Sequence, residues 1–198
     1  MADASPAPPL VLASRSPQRK AILEQLHVPF DVVPPGYEEE TPLLADPVDV
    51  VRDHARAKAH SVADDVGDRP VLGVDTEVVL DGQIFGKPAD ASDAEQMLER
   101  LSGKTHAVVS GLCLHTPAWE VVEHEETSVT FRELTPRDLA AYVGSGEWAG
   151  RAGAYAIQGQ GASLVSRIEG DYLNVVGLPG ALLVRLLAER FAGVYGFG

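Results

Sequence analysis

Leu10-Val11-Leu12-Ala13-Ser14-Arg15-Ser16-Pro17-Gln18-Arg19 reads as a short buried strand that turns directly into a helix. Four apolar residues in a row suit a strand covered on both faces. Ser16 suits an N-cap and Pro17 the first helical position, so a helix is expected over about 17–26. A strand that runs into a helix N-terminus aims unpaired backbone N–H groups and the positive end of the helix dipole at one spot, which attracts an anion. The hydroxyls of Ser14 and Ser16 and the guanidinium of Arg19 add donors there. Taken alone, the segment reads equally well as a Ser16 that only caps beside a solvated Arg19. No Gly-x-x-x-x-Gly-Lys-Ser/Thr loop occurs anywhere in the chain.

Downstream, Phe30-Asp31-Val32-Val33 reads as a second strand, broken by Pro34-Pro35-Gly36. Asp46 and Pro47 open a second helix, expected over about 47–65. Val71-Leu72-Gly73-Val74 is a further apolar run, and Asp81-Gly82 inside 78–85 marks a hairpin. A helix over about 93–101 stops at Gly103, a long pair of strands fills 106–132 with its joint near Pro117, and Thr135-Pro136-Arg137-Asp138 starts a capped helix. Strands are expected at Ala154-Tyr155-Ala156-Ile157 and Ala162-Ser163-Leu164-Val165, before a last helix over about 179–191. Strands and helices mix without strict βαβ alternation, which predicts an α/β fold with a mixed central sheet flanked by helices. No repeat or long linker divides the chain, so residues 10–198 are expected as one domain behind a flexible tail at 1–9.

The composition narrows the partners. The 198 residues are 45% hydrophobic and 23% charged, ordinary for a soluble globular protein. No apolar run approaches the roughly 20 residues of a membrane-spanning helix. The opening residues lack the basic and apolar regions of a signal peptide. A single cysteine, Cys113, cannot form an internal disulfide or a thiolate metal site, and fits a reducing, cytoplasmic setting. A net charge of -13 argues against a broad surface for duplex nucleic acid or anionic membrane. It leaves open a small pocket in which a few focused cations hold a polyanion.

Further residues carry possible chemistry. Positions 48, 51, 55, 58 and 62 hold Val, Val, Ala, Lys and Val, which places Lys58 on the apolar stripe of its helix. Its stem either snorkels past the core edge or projects into a cleft as a phosphate ligand. Asp75 and Thr76 follow an apolar strand at its carboxyl end, where open α/β sheets bind ligands. A carboxylate there can hold a divalent metal or take a proton from water, or merely bond a nearby turn. Lys87 sits in the turn Gly86-Lys87-Pro88, within reach of a phosphate or simply exposed. The small residues of 152–161 allow close approach of a flat ligand, and the Gln158 amide can read a base edge, unless the segment is only a tightly packed strand. The run Glu38-Glu39-Glu40 offers a metal ligand or a solvated loop. The six histidines show no His-Glu-x-x-His spacing, so no catalytic role is expected for them. Two serines, an arginine, two lysines and an acid form a set suited to polyanion chemistry.

In their order and spacing, five segments make the chain similar to the Maf family of nucleotide pyrophosphatases, first associated with septum formation. They are 12–19; Ala57-Lys58-Ala59; Gly73-Val74-Asp75-Thr76 with Gly86-Lys87-Pro88; 101–106; and 152–159 leading to Val176-Gly177-Leu178-Pro179. The resemblance implies two lobes about a deep cleft, a homodimer, and conversion of a nucleoside triphosphate to monophosphate and pyrophosphate with Mg²⁺ or Mn²⁺. It implies Asp75 as proton acceptor for water, with Ser14, Arg19, Lys58 and Lys87 on the phosphates and Glu38 (or Glu39) helping to place metal. Thr76 and Gln158 resemble members acting on dTTP and UTP, whereas those members commonly carry Arg where this chain has Gln18. A second branch, preferring 7-methyl-GTP, commonly has Trp there, so Gln18 fits neither and dTTP/UTP ranks first. A nucleotide-binding regulator of division with weak catalysis is the alternative, and the pairing of Asp75 with Lys58 and Lys87 argues against it. The lack of an Asp-x-Asp-x-Thr or Cys-x₅-Arg motif argues against a phosphatase that removes single phosphates.

Overall fold

The computed structural model describes residues 8–38 and 45–198. The tail expected at 1–9 lies outside the described residues for its first seven positions, as do Glu39 and Glu40. The elements in order are β1 (Leu10–Ala13), α1 (Pro17–Gln25), β2 (Phe30–Val32), α2 (Pro47–Ala63), β3 (Val71–Leu80), β4 (Gln83–Phe85) and α3 (Ala91–Leu101). They continue with β5 (Thr105–Thr116), β6 (Trp119–Phe131), α4 (Pro136–Ser145), β7 (Val165–Glu169), α5 (Tyr172–Val176) and α6 (Gly180–Phe191). The sheet runs β2-β1-β3-β5-β6-β7, with β4 paired to β3. β1 is parallel to both neighbours and the remaining pairs are antiparallel, so the mixed sheet flanked by helices is the one the sequence predicts.

Local chemistry accounts for most boundaries. The side chains of Ser16, Asp46 and Asp90 cap the helices that follow them, and Thr135 with Asp138 forms a reciprocal capping box. Asp81 and Gly82 both take positive φ, 52° and 76°, in the two-residue turn joining Leu80 to Gln83.

Two expectations need correction. The apolar run at 71–74 and the first hairpin strand are one ten-residue strand, β3. The polar residues between them, Asp75, Thr76 and Glu77, stay extended because they pair in register with Gly111, Ser110 and Val109 of β5. The strands expected near 154–157 and 162–165 are absent. Ala152–Ala154 and Gly159–Leu164 form 3₁₀ turns instead, and the last strand, β7, begins at Val165. Positive φ at Gly153, Ala154 and Gly159 breaks any extended run there.

β3 ties two lobes together. Its Leu72 and Val74 pack with Leu10, Leu12 and the leucines of α6 in one core, while Val78 and Leu80 join α3, α4 and Phe131 in another. Asp75, Thr76 and Glu77 cross between the two. On the opposite face of the first lobe, Ala55, Ala59 and Val62 of α2 meet Val11, Ala13, Val71 and Cys113. This contact is close because two glycines lie beneath α2. A Cβ at Gly73 would sit 2.1 Å from the Ala55 carbonyl oxygen, and one at Gly111 would sit 2.1 Å from that of Val51. Among the described residues no helix is long and apolar enough to cross a membrane.

Candidate active site

The opening element folds as its residues suggest, and Arg19 is drawn inward. The backbone N–H of Arg19 donates to Ser16 Oγ at 3.4 Å, while the Ser16 hydroxyl donates to Gln18 Oε1 at 3.2 Å. The Arg19 guanidinium donates from Nε to the Gly177 carbonyl at 2.9 Å, and from its two Nη atoms to Ser14 Oγ at 3.2 Å and Thr76 Oγ1 at 3.3 Å. Three separate segments therefore meet on one guanidinium, and the reading of a solvated Arg19 falls. Thr76 Oγ1 also lies 2.9 Å from Ser110 Oγ and donates to the Gly177 carbonyl at 3.3 Å.

Asp75 sits on β3 and is 3% exposed. Lys58, 5% exposed, donates from Nζ to Asp75 Oδ1 at 2.6 Å and to the Val74 carbonyl at 3.4 Å. On the other carboxylate oxygen, Oδ2, His54 Nδ1 lies 3.1 Å away. Lys58 thus does not snorkel to solvent: its ammonium is held inside, on the acid. Burial by itself would push the Asp75 carboxyl up. The His54 hydrogen bond and the charges of Lys58 and Arg19 outweigh burial and hold it well below the usual carboxylate range. The group is a carboxylate at neutral pH.

Around it opens a cleft of about 760 Å³, a size typical of small-molecule sites. Its lining includes Ser14, Ser16, Gln18 and Arg19 of the opening element, Lys58 of α2 with Asp75 and Thr76 of β3, and Lys87 and Gln158. Lys87 is exposed in the loop after β4, and Gln158 is exposed between the two 3₁₀ turns rather than on a strand. The structure thus gathers every candidate that the sequence nominates except Glu38, which is exposed and does not line the cleft. Glu39 lies outside the described residues.

Several residues that line the cleft or support it from behind were not nominated. His54 lies one helical turn before Lys58, so both point from α2 to the same carboxylate; that spacing of four was its trace in the sequence. Arg151 lines the cleft with its Nε buried and without a hydrogen-bond partner. Only its position directly before the small-residue run hinted at it. The Glu147 carboxylate accepts N–H bonds from Gln160 and Gly161 at 3.0 and 3.1 Å, which fixes the loop bearing Gln158. Glu77 lines the cleft two residues after Asp75, on the same side of β3. Arg15, Arg19, Lys58, Lys87 and Arg151 make this a cationic recess in a chain of net charge -13.

Fold and site define a class of α/β proteins in which two lobes share a mixed sheet and a cation-lined cleft opens over the buried carboxylates Asp75 and Glu77. Within that class the chain belongs to the Maf family: the family model described as Maf-like protein matches residues 9–190. It is 46% identical over 183 residues to the dTTP/UTP pyrophosphatase of Bacillus cytotoxicus, covering 92% of this chain and 96% of that protein. Proteins of the same description from Nitratidesulfovibrio vulgaris and Deinococcus radiodurans are 48% identical over 188 residues and 45% identical over 195. These alignments cover 94% and 98% of this chain, and 90% and 98% of those proteins. Among solved structures, the Staphylococcus aureus Ham1 protein overlays with a TM-score of 0.44 at 17% identity, covering 63% of this chain and 72% of that one, too distant a likeness to inform the site.

Proposed function

We propose that the protein is a nucleoside triphosphate pyrophosphatase that converts dTTP and UTP to the monophosphate and pyrophosphate. The observation that carries the proposal is the buried Lys58–Asp75–His54 cluster at the floor of a cationic cleft. In this reading Ser14, Ser16, Arg19, Lys58 and Lys87 hold the phosphate chain. Gln18, Thr76 and Gln158 face the rest of the nucleotide. Asp75 accepts the proton of the attacking water, and His54 positions its carboxylate. Cations fixed before the substrate arrives stabilise the charge that spreads over the reacting phosphate, and a pinned carboxylate orients the water in line with the bond to be broken. Identity of 44–48% to proteins described as dTTP/UTP pyrophosphatases supports the substrate choice.

A divalent cation, Mg²⁺ or Mn²⁺, belongs to the same proposal. Asp75 and Glu77 offer two carboxylates from one side of β3, both lining the cleft, a donor set that suits a hard cation shared with phosphate oxygens. Glu77 lines the cleft where Glu38 does not, so in this reading it takes the position that the family resemblance gives to Glu38 or Glu39. When bound, the cation would neutralise phosphate charge and lower the pKa of a water. Action as a homodimer in a reducing cytoplasm completes the reading and rests on the family membership and the lone buried Cys113.

The test is a panel of nucleoside triphosphates incubated with the protein and Mg²⁺ or Mn²⁺, scored for pyrophosphate against orthophosphate. Pyrophosphate from dTTP and UTP, lost in Asp75→Asn, is the expected result. Orthophosphate as the sole product, or an undiminished Asp75→Asn, would overturn the proposal.

A further inference from the structure

Away from the cleft, three side chains from three elements converge at the turn end of the β5–β6 pair. His115 and Glu120 are direct cross-strand partners, and His60 of α2 lies over them. His60 Nε2 contacts Glu120 Oε2, His115 Nδ1 lies 3.4 Å from the same oxygen, and the two imidazole rings are 4.8 Å apart between centroids. One ligand atom from each of the three falls within 4.8 Å of the others. The His115 Nδ1 is buried and makes no hydrogen bond, since its approach to Glu120 lacks the geometry of one. Buried polar atoms are normally satisfied, and an orphaned imidazole nitrogen facing a carboxylate calls for a reason.

Two imidazoles and a carboxylate are the donors that borderline divalent ions of the zinc type prefer, and three protein ligands with a water complete a tetrahedron. Such a tetrahedron needs ligand atoms ~3.3 Å apart, which the His115–Glu120 pair already meets at 3.4 Å and which small rotations of the half-exposed His60 supply for the third. Arg56 Nε holds the other carboxylate oxygen, Oε1, at 2.8 Å. It opposes a cation by its charge, yet leaves Oε2 to the two histidines and the weakly donating Cys113 thiol, and fixes the carboxylate plane as an outer partner does around metal ligands. Burial pulls the Glu120 carboxyl up, but the hydrogen bonds and charges of His60 and Arg56 outweigh it and leave the group below the usual range, so it is ionised. The Cys113 thiol donates weakly to the same Glu120 Oε2 at 3.8 Å and falls outside the three mutually close ligand atoms; burial, with Glu120 adding to it, pushes it up to about 12.

We propose that His60, His115 and Glu120 form a second divalent-metal site, of the zinc type, that fastens α2 to the β5–β6 hairpin. It is distinct from the catalytic cleft. His115 lies four residues along β5 from Gly111, the partner of Asp75, which is about 13 Å at a strand's ~3.3 Å per residue. α2 carries His60 two residues beyond Lys58, so a metal here steadies the helix that presents Lys58 to Asp75.

The experiment uses untagged full-length protein in millimolar Mg²⁺, titrated with Co²⁺ and followed by visible absorption, then with Zn²⁺ in competition. One Co²⁺ per chain with a tetrahedral spectrum, displaced by Zn²⁺, is expected. Affinity should fall at least tenfold in His115→Ala and in the milder His60→Gln, and persist in Asp75→Asn. Absence of Co²⁺ and Zn²⁺ binding at submillimolar concentration would overturn the proposal, as would unchanged affinity in both histidine variants or loss of the bound metal in Asp75→Asn.

Discussion

Replacing Gly111 by alanine sets a methyl group against the backbone of α2. The new Cβ would lie 2.1 Å from the Val51 carbonyl oxygen, 2.3 Å from its carbon and 2.7 Å from Arg52 N. Non-bonded heavy atoms settle at about 3.5 Å, so the helix must retreat by on the order of 1 Å. All three atoms are backbone, and no rotamer change relieves the clash. Overpacking of this kind costs ~1–3 kcal/mol, which lowers Tm by roughly 2–12 °C in a chain of this length. The catalytic loss should exceed what stability explains, because α2 carries both partners of Asp75. A displacement of about 1 Å at a catalytic group typically costs ~10²-fold in rate. Initial rates of pyrophosphate release, measured well below the variant's Tm, test this beside calorimetry. Gly144→Ala is the control, since nothing lies within 4 Å of its added Cβ. A Gly111→Ala protein with lowered Tm and wild-type turnover would refute the claim that close packing of α2 sets the site, and an unchanged Tm would refute the packing itself.

Lys58→Met keeps the apolar stem and removes the ammonium bonded to Asp75; turnover should fall by ~10²–10³, and the acid limb of any residual pH–rate profile should move to higher pH, since a cation that lowers the carboxyl pKa is gone. His106 is buried beside the Tyr155 hydroxyl, 2.9 Å away, and burial lowers it from 6.5 to about 4. The unfolded chain therefore takes up this proton first, and stability present above pH 6.5 is lost as pH falls towards 4, by at most about 3 kcal/mol; unfolding midpoints of His106→Phe should show a flatter slope across that window. Gln18→Arg places a guanidinium at the cleft wall, and KM for dTTP should drop about tenfold or more if the new group bonds the substrate; a KM equal to that of the present chain would show that this position does not touch it.

What was legible in the sequence is what local chemistry decides. The caps at Ser16, Asp46 and Thr135 set helix starts, and the Asp81-Gly82 pair set the hairpin. Lys58 was conspicuous because a charge interrupted an apolar stripe, and burial on Asp75 is the reason for the interruption. His54 carried no such mark. Its role depends on how deeply α2 settles on β3 and β5, a tertiary distance set by Gly73 and Gly111. The segment 152–165 misled because small residues suit both a strand and a tight turn. Positive φ at Gly153, Ala154 and Gly159 decides between them, and glycine permits that φ without announcing it.

In the proposed mechanism, the same cations that build the site also weaken its base. With His54 on one oxygen and Lys58 on the other, the free Asp75 carboxylate has little affinity for a proton. A general base works best with a pKa near the working pH, so a carboxyl held this low by its neighbours makes a weak base on its own. A phosphate chain changes this balance, because its negative charge draws on Lys58 and Arg19, two of the groups that hold the carboxyl down. As their field is shared with the substrate, the proton affinity of Asp75 is expected to rise, while a divalent cation held by Asp75 and Glu77 would act in the opposite sense. In the proposed mechanism, binding the polyanion would then also raise the basicity of Asp75. The wide contact of Arg19 with Ser14, Thr76 and Gly177 makes the coupling specific to a ligand that reaches the opening turn. A short anion that stops at Lys87 leaves the Lys58 bond and the Arg19 charge acting on the acid.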